Sequence, residues 1–218
     1  MKKKFRLSLA FALYFIAAQS YSQTQKGQVV IGAGYGGSAL RGVVAALWTN
    51  DFIDASVKSV GPIAAGIDYG LADKFSIGVN YATQTVSGTV FNVDWFFIGS
   101  SNTNQLEVFD YSMTRTHISI APKIHYFTNS EKLEKLDLYS GLRVGYIIWD
   151  KNFESSDPGF PEKYDASVNG LTNRASFGII AIGARYYLSE NIGVSTELNI
   201  GAPYIFSLGA VYKIGGSE

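Results

Sequence analysis

The chain has 218 residues, with 18 basic and 18 acidic side chains, 23 Gly, 14 Tyr, 14 Phe and no Cys. The missing Cys excludes a disulfide framework, thiolate chemistry and a Cys-based metal site. The charge balance leaves no basic footprint for nucleic acid. Beyond residue 22 no apolar run reaches the ~18 residues a membrane-crossing helix needs.

The chain opens on Lys2, Lys3, Lys4 and Arg6, followed by an apolar run from Leu7 to Ala18 and then Ser20-Tyr21-Ser22. A basic start, a short apolar stretch and small residues before a cut are the parts of a secretory signal peptide. Cleavage is expected after Ser22, and the lack of a Cys there excludes a lipid anchor. Residues 23–218 then form one domain with 14 basic and 18 acidic residues.

Eight segments of this domain alternate with a period of two, the mark of strands whose faces meet different surroundings. The first, Gln28 to Gly36, sets Val29, Ile31, Ala33 and Tyr35 against Gly32, Gly34 and Gly36. The second, Val60 to Leu71, sets Ile63, Ile67, Tyr69 and Leu71 against Gly66, Asp68 and Gly70. The third starts at Phe75 and continues Ile77, Val79, Tyr81, with Ser76, Gly78, Asn80 and Gln84 opposite. The fourth runs from about Val108 to Phe127, with Ile118, Ile120, Pro122, Ile124 and Tyr126 on one face and Arg115, His117, Ser119, Lys123 and His125 on the other. Pro122 cannot donate to a ladder, so regular pairing is expected to falter there.

The fifth, Leu136 to Trp149, sets Leu138, Leu142, Val144, Tyr146 and Ile148 against Asp137, Tyr139, Gly141, Arg143 and Gly145. The sixth, about Thr172 to Leu188, sets Ile180, Ile182, Ala184, Tyr186 and Leu188 against Gly183 and Arg185. In the seventh, Asn191 to Gly201, Ile192, Val194, Leu198 and Ile200 oppose Gly193, Ser195, Glu197 and Asn199. The eighth reads Tyr204, Phe206, Leu208, Ala210, Tyr212 and Ile214 on its apolar face, with Ser207, Gly209 and Lys213 opposite. Aromatics at the ends of an apolar face, with aliphatics between, fit a lipid-facing strand with interfacial girdles.

The connections near Asp73, Asn129 and Glu190 are short, whereas 37–59, 85–107 and 150–171 are long. Short turns at one end and long loops at the other are a feature of outer-membrane barrels, and an even strand number returns both termini to the periplasm. The end of the chain, Ser207-x-Gly209-x-x-Tyr212-x-Ile214, resembles the C-terminal recognition signal of bacterial outer-membrane β-barrels, from which it departs by the tail Gly215 to Glu218. The whole of 23–218 thus resembles the small eight-stranded outer-membrane barrels, the OmpA/OmpX-like family. The resemblance implies an all-β, antiparallel, up-and-down transmembrane barrel in the bacterial outer membrane. It further implies that outer-membrane lipid and the barrel assembly machinery are partners, the latter reading Ser207, Gly209, Tyr212 and Ile214.

A barrel of eight strands has an interior just wide enough for side chains to fill. The expected lumen network is Asp68, Arg115, His117, Lys123, Asp137, Arg143, Arg185, Glu197 and Lys213, and buried charges of this kind must pair. Arg143, Arg185 and Glu197 are expected in one cluster, and Gly209 is expected to make room for a large inward neighbour. The expected role is structural or adhesion-like, through a filled lumen and the surface loops. The alternative is a narrow channel or transporter for small polar or hydrophobic solutes.

An enzyme is the least favoured reading. His117-Ile118-Ser119 resembles the His-x-Ser pair of outer-membrane lipid A deacylases, with Glu131 as the carboxylate. Yet His117 and Ser119 point to the lumen, Glu131 falls in a turn, and Ile120, Ala121 and Pro122 follow where that family has Asn and small residues. No catalytic residue and no cofactor is expected. His117 and His125 lie eight residues apart on one strand face, too far to hold one metal ion. Segment 37–59 carries the apolar run Val43 to Trp48, and 85–107 carries Phe91 and Trp95 to Ile98. Apolar patches in segments that should be wet mark a contact surface, a ligand groove or a lid. These runs are expected to pack on each other above the barrel or dip into the outer leaflet, with a surface partner or a small hydrophobic ligand as the alternatives.

Overall fold

The computed structural model describes residues 24, 26–40, 54–91, 109–126, 135–155 and 171–215. The signal segment, Glu131 and the apolar runs Val43–Trp48 and Trp95–Ile98 lie outside them. Eight strands follow in chain order: β1 (Val29–Gly37), β2 (Asp54–Ala72), β3 (Phe75–Phe91), β4 (Phe109–Tyr126), β5 (Leu136–Ser155), β6 (Arg174–Tyr187), β7 (Ile192–Gly201) and β8 (Phe206–Ile214). Each pairs antiparallel with the next, and β8 returns to β1, closing the barrel with Val29 opposite Ile214 and Gly37 opposite Phe206. Closure leaves no edge in the membrane-spanning part, where an unpaired backbone group has no water to satisfy it.

Burial alternates along the strands, but in the opposite sense to a soluble protein. Ile31, Ile67, Val79, Ile120, Val144, Ile182, Val194 and Leu208 are exposed, while Asp68, Lys123, Asp137, Arg143, Arg185 and Glu197 are buried. The apolar side chains thus form an outer belt. Exposed aromatics border it at two levels: Tyr69, Phe75, Tyr186 and Tyr212 toward the short turns, Tyr35, Tyr81, Tyr146, Phe177 and Phe206 toward the other end. Rings at those levels suit a membrane–water interface.

Three strands are longer than their apolar alternation suggests. β2 starts at Asp54 rather than Val60, β3 continues to Phe91 and β5 to Ser155. The reason is a reversal of sides. Beyond Tyr81 and Ile118 the outward positions become Thr83, Thr85, Ser87 and Thr89 on β3 and Thr116, Thr114 and Ser112 on β4, while Val86, Tyr111 and Met113 are buried inside. Lipid-type patterning gives way to polar-out, apolar-in patterning within the same strand, so the period survives while its sign inverts. The barrel is therefore uneven in height. The neighbours β2 to β5 have 19, 17, 18 and 20 residues, against 9 for β1, 14 for β6, 10 for β7 and 9 for β8.

Pairing of β4 with β5 skips from Ile120↔Val144 to Lys123↔Gly141, so the ladder breaks at Pro122. Tyr204 departs from expectation. It is not on the outer face of β8 but in the turn before it, 6 % exposed and directed inward. Residues 202–205 turn over the barrel end, with Asn199 N donating to Ile205 O at 2.7 Å and Ile205 N to Gly37 O at 2.9 Å. A parity count carried through a turn as if it were strand puts that ring on the wrong side.

Candidate functional site: the charged lumen

The inward positions of β2, β4, β5, β6 and β7 meet at mid-barrel. Lys123 Nζ donates to both oxygens of Asp68, at 2.9 and 2.7 Å, and lies 4.0 Å from Glu197 Oε1. Arg185 donates from Nη2 to Asp68 and from Nη1 to Asp137 Oδ2 at 3.4 Å. Arg143 Nη2 donates to Glu197 Oε2 at 2.6 Å, and its Nη1 to Asn199 Oδ1 at 3.1 Å. Three cations therefore face three carboxylates in one connected set, and the set carries no net charge.

Tyr139 stands in its centre. The ring lies 4.9 Å from Lys123 Nζ and 4.7 Å from Arg185 Cζ, and the hydroxyl donates to Glu197 Oε1 at 2.8 Å. Tyr204 reaches in from the β7–β8 turn, donating to Glu197 Oε2 at 2.8 Å and accepting from Arg143 Nη2 at 2.9 Å. Neither tyrosine is among the sequence-derived network residues. Tyr139 was legible as inward-facing; its partner Gly183, directly opposite in the register, was the signal that a large ring fills that level.

Arg143 and Glu197 bond directly, but Arg185 does not reach Glu197; it bonds Asp68 and Asp137 and joins the pair through Lys123 and Tyr139. Arg115, His117 and Lys213 stand apart from the six ions. Arg115 Nη2 donates to Gln84 Oε1 at 2.9 Å and to the Pro203 carbonyl. His117 Nε2 lies 2.6 Å from Ser176 Oγ, and Lys213 Nζ lies 4.6 Å from the centre of the Tyr187 ring. Among the described residues these three have no carboxylate partner.

At the short-turn end Ser76 Oγ lies 2.8 Å from His125 Nε2, and His125 Nδ1 lies 2.8 Å from Asp137 Oδ1. Thr24 covers this group, its Oγ1 being 2.9 Å from His125 Nδ1 and donating to Asp137 Oδ2 at 3.3 Å. The connectivity is that of a Ser–His–Asp relay. Sequence reasoning looked for such a relay at His117 and Ser119, but His117 is paired with Ser176 instead. The serine of the relay that does form is 3 % exposed. A nucleophile must meet its substrate, and the cavity in the barrel does not touch Ser76. That cavity measures about 60 Å³ and runs beside β1 and β8, lined by Gly32, Gly34 and Gly209 on one side and Asp68, Lys123 and Glu197 on the other. It has room for roughly four waters at about 15 Å³ each.

Of the residues in the C-terminal motif, Ser207 is buried inside, while Tyr212 and Ile214 are exposed on the belt. Gly209 does not make room for a large side chain. A Cβ there would meet β1 backbone, at 2.5 Å from Ala33 O and 3.0 Å from Gly34 Cα. It permits close approach of the two strands that close the barrel.

No protein-family model matches the chain, and no curated protein matches it. Solved structures do. The outer membrane protein OprG from Pseudomonas aeruginosa is 14 % identical with a TM-score of 0.53, over 89 % of this chain and 100 % of that one. The N-terminal β-barrel domain of OprF from the same organism is 12 % identical with a TM-score of 0.43, over 87 % and 98 %. Ail, the attachment invasion locus protein of Yersinia pestis, is 11 % identical with a TM-score of 0.41, over 87 % and 100 %. With the closed register, the outer apolar belt and the inner charges, the chain is an eight-stranded antiparallel transmembrane β-barrel with the fold of the small outer-membrane barrels.

Proposed function

We propose that this is a non-enzymatic outer-membrane protein that presents a β-sheet wall at the cell surface on a barrel closed to solutes. The observation that carries the reading is the uneven height of the barrel. Above the last β1–β2 pair, Tyr35↔Ile63, β2 from Asp54 to Val60 pairs only with β3 among the described residues. Above the last β5–β6 pair, Ile147↔Arg174, β5 pairs among the described residues only with β4, apart from Trp149 N donating to Asn173 Oδ1 at 2.8 Å. Among the described residues the wall of β2 to β5 thus has two vertical edges without a pairing strand, the template an extended segment of a partner adds to by backbone hydrogen bonds. The segments 38–53 and 92–108, which connect to β2, β3 and β4, would add contacts.

Long connections at the wall end and short turns at the other support the reading in which the wall is outside and both termini are periplasmic. In this reading the six-ion network is a plug that fills the lumen and holds the strands in register. Ser207, Gly209, Tyr212 and Ile214 form the strand that the barrel assembly machinery reads. The cavity beside Asp68 supports the runner-up, a narrow polar conduit.

Two measurements decide. Purified protein in planar bilayers should give no steady conductance; reproducible single-channel steps would favour the conduit. The chain has no Cys, so Lys58→Cys supplies one label site on the wall. A membrane-impermeant maleimide should label it in intact cells; labelling only after lysis would overturn the surface reading.

A further inference from the structure

The outer face of the wall, unlike its edges, has a chemistry of its own. Along β3 the outward residues after Tyr81 are Thr83, Thr85, Ser87 and Thr89; opposite them on β4 stand Thr116, Thr114, Ser112 and Asp110. Seven of these eight side chains carry a hydroxyl. Same-face residues repeat at about 6.7 Å along a strand and about 4.8 Å between strands, so Thr83 to Thr89 covers roughly 20 Å. Thr85 and Thr114 bond to each other at 2.9 Å, and Thr89 donates to Asp110 Oδ1 at 2.6 Å. The hydroxyls of Thr83, Ser87, Ser112 and Thr116 have no protein partner among the described residues, and these residues lie on the outward face.

The position of this array matters as much as its composition. It begins one step above the ring of Tyr81 and continues the lipid-facing side of the same two strands without a break. Aromatic girdles sit at headgroup level, so the lowest hydroxyls stand among headgroups and the highest just above them. The flanking charges narrow the choice of ligand. Lys58 is the one outward cation beside the array among the described residues; Asp150 stands exposed beside Thr114, and Asp110 and Glu154 stand exposed at the upper end. Phosphate recognition uses clustered Arg and Lys, and a protein-binding hot spot uses aromatic or Arg anchors; the face has neither. What it offers is a grid of hydroxyl donors and acceptors with a carboxylate flank, both able to bond sugar hydroxyls, continuous with the lipid interface.

We infer that the outer face of β3 and β4 is a docking surface for the saccharide portion of outer-leaflet glycolipid, whose sugar hydroxyls bond to Thr83, Thr85, Thr114 and Thr116. The inference rests on the surface reading above, since a wall in the periplasm would meet no such sugars.

The full-length protein is reconstituted in vesicles of phosphatidylcholine alone, with added lipid A, and with added lipopolysaccharide bearing its core sugars; its unfolding temperature is read in each. The wild type should gain several degrees with the core-bearing glycolipid and markedly less with lipid A. Thr83→Val with Thr85→Val, Thr114→Val and Thr116→Val keeps shape and β-branching, and should lose at least half of that gain while unfolding normally in phosphatidylcholine. If this variant does not fold, Ser87→Ala with Ser112→Ala takes its place and should lose part of the gain. An equal gain in wild type and variant, or a full gain from lipid A, overturns the inference. Intact-cell labelling of Lys58→Cys separates the two readings: labelling without a core-sugar gain defeats the glycolipid inference alone, whereas labelling only after lysis defeats both.

Discussion

Gly183 lies directly across the β5–β6 ladder from Tyr139, and a Cβ at Gly183 would fall 2.2 Å from the Tyr139 ring. The ring occupies the space a side chain would need, and Lys123 and Arg185 both lie against it. Gly183→Ala should therefore destabilise by about 1–3 kcal/mol through overpacking, read as a lower urea midpoint in detergent micelles. Gly37, where a Cβ would meet nothing within 4 Å, should accept Ala within about 0.5 kcal/mol. Equal midpoints for the two variants would show that the Tyr139 ring is not fixed there.

Glu197 accepts from Arg143, Tyr139 and Tyr204 while 7 % exposed. Glu197→Ala leaves the Arg143 guanidinium buried without its counter-charge and should cost roughly 3–5 kcal/mol. Replacing both members, Arg143→Met with Glu197→Gln, should cost less than the two single changes added together, because the residues in contact share one penalty. Strict additivity across the cycle would mean that water reaches both groups.

Arg115 and Lys213 should behave differently from the six paired ions. Their partners are neutral, so truncation strands no opposite charge. Arg115→Met and Lys213→Met should each cost about 1 kcal/mol, the scale of an ordinary hydrogen bond, in the same denaturation assay. Losses as large as that of Glu197→Ala would place an unseen carboxylate beside them.

The Ser76–His125–Asp137 relay gives a direct test of the non-enzymatic reading. With Ser76 buried, a fluorophosphonate probe should not label the native barrel. Labelling that disappears in both Ser76→Ala and His125→Ala would establish a reactive serine and reverse that reading.

Tyr212→Asp places a charge on the belt at the short-turn girdle. The thermodynamic loss should be only about 1 kcal/mol near an interface, whereas the amount reaching the outer membrane should fall several-fold if the assembly machinery reads this strand. Cell fractionation beside wild type decides, and normal outer-membrane levels would remove the signal role.

The barrel was legible in the sequence because lipid outside and ions inside impose one sign of alternation. Strand number, the short turns, the inward set Asp68, Lys123, Arg143, Arg185 and Glu197, and the break at Pro122 all followed from it. The wall was not legible, because above Tyr81 the outside is wet and the inside apolar, and Thr85 to Val90 then reads as loop. The pairing inside the lumen was hidden for another reason. Parity tells which residues point in, but the curvature of the sheet decides who meets whom, and Arg185 reaches Asp68 on β2 rather than Glu197 on the adjacent strand. Tyr204 was missed because a turn resets parity.

The six ions come from β2, β4, β5, β6 and β7, and two of the three carboxylates are matched only by cations from non-neighbouring strands: Asp68 by β4 and β6, Glu197 by β4 and β5. No single hairpin is electrically self-sufficient, with the partial exception of Asp137, which touches Arg185 on the neighbouring strand. A half-assembled sheet would therefore bring bare charges to the bilayer, each at a cost of several kcal/mol. Insertion by successive hairpins is penalised, and entry as one nearly complete cylinder is favoured. The interior thus ties distant strands to one another: neutralising all six ions requires β2, β4, β5, β6 and β7 to be in place together.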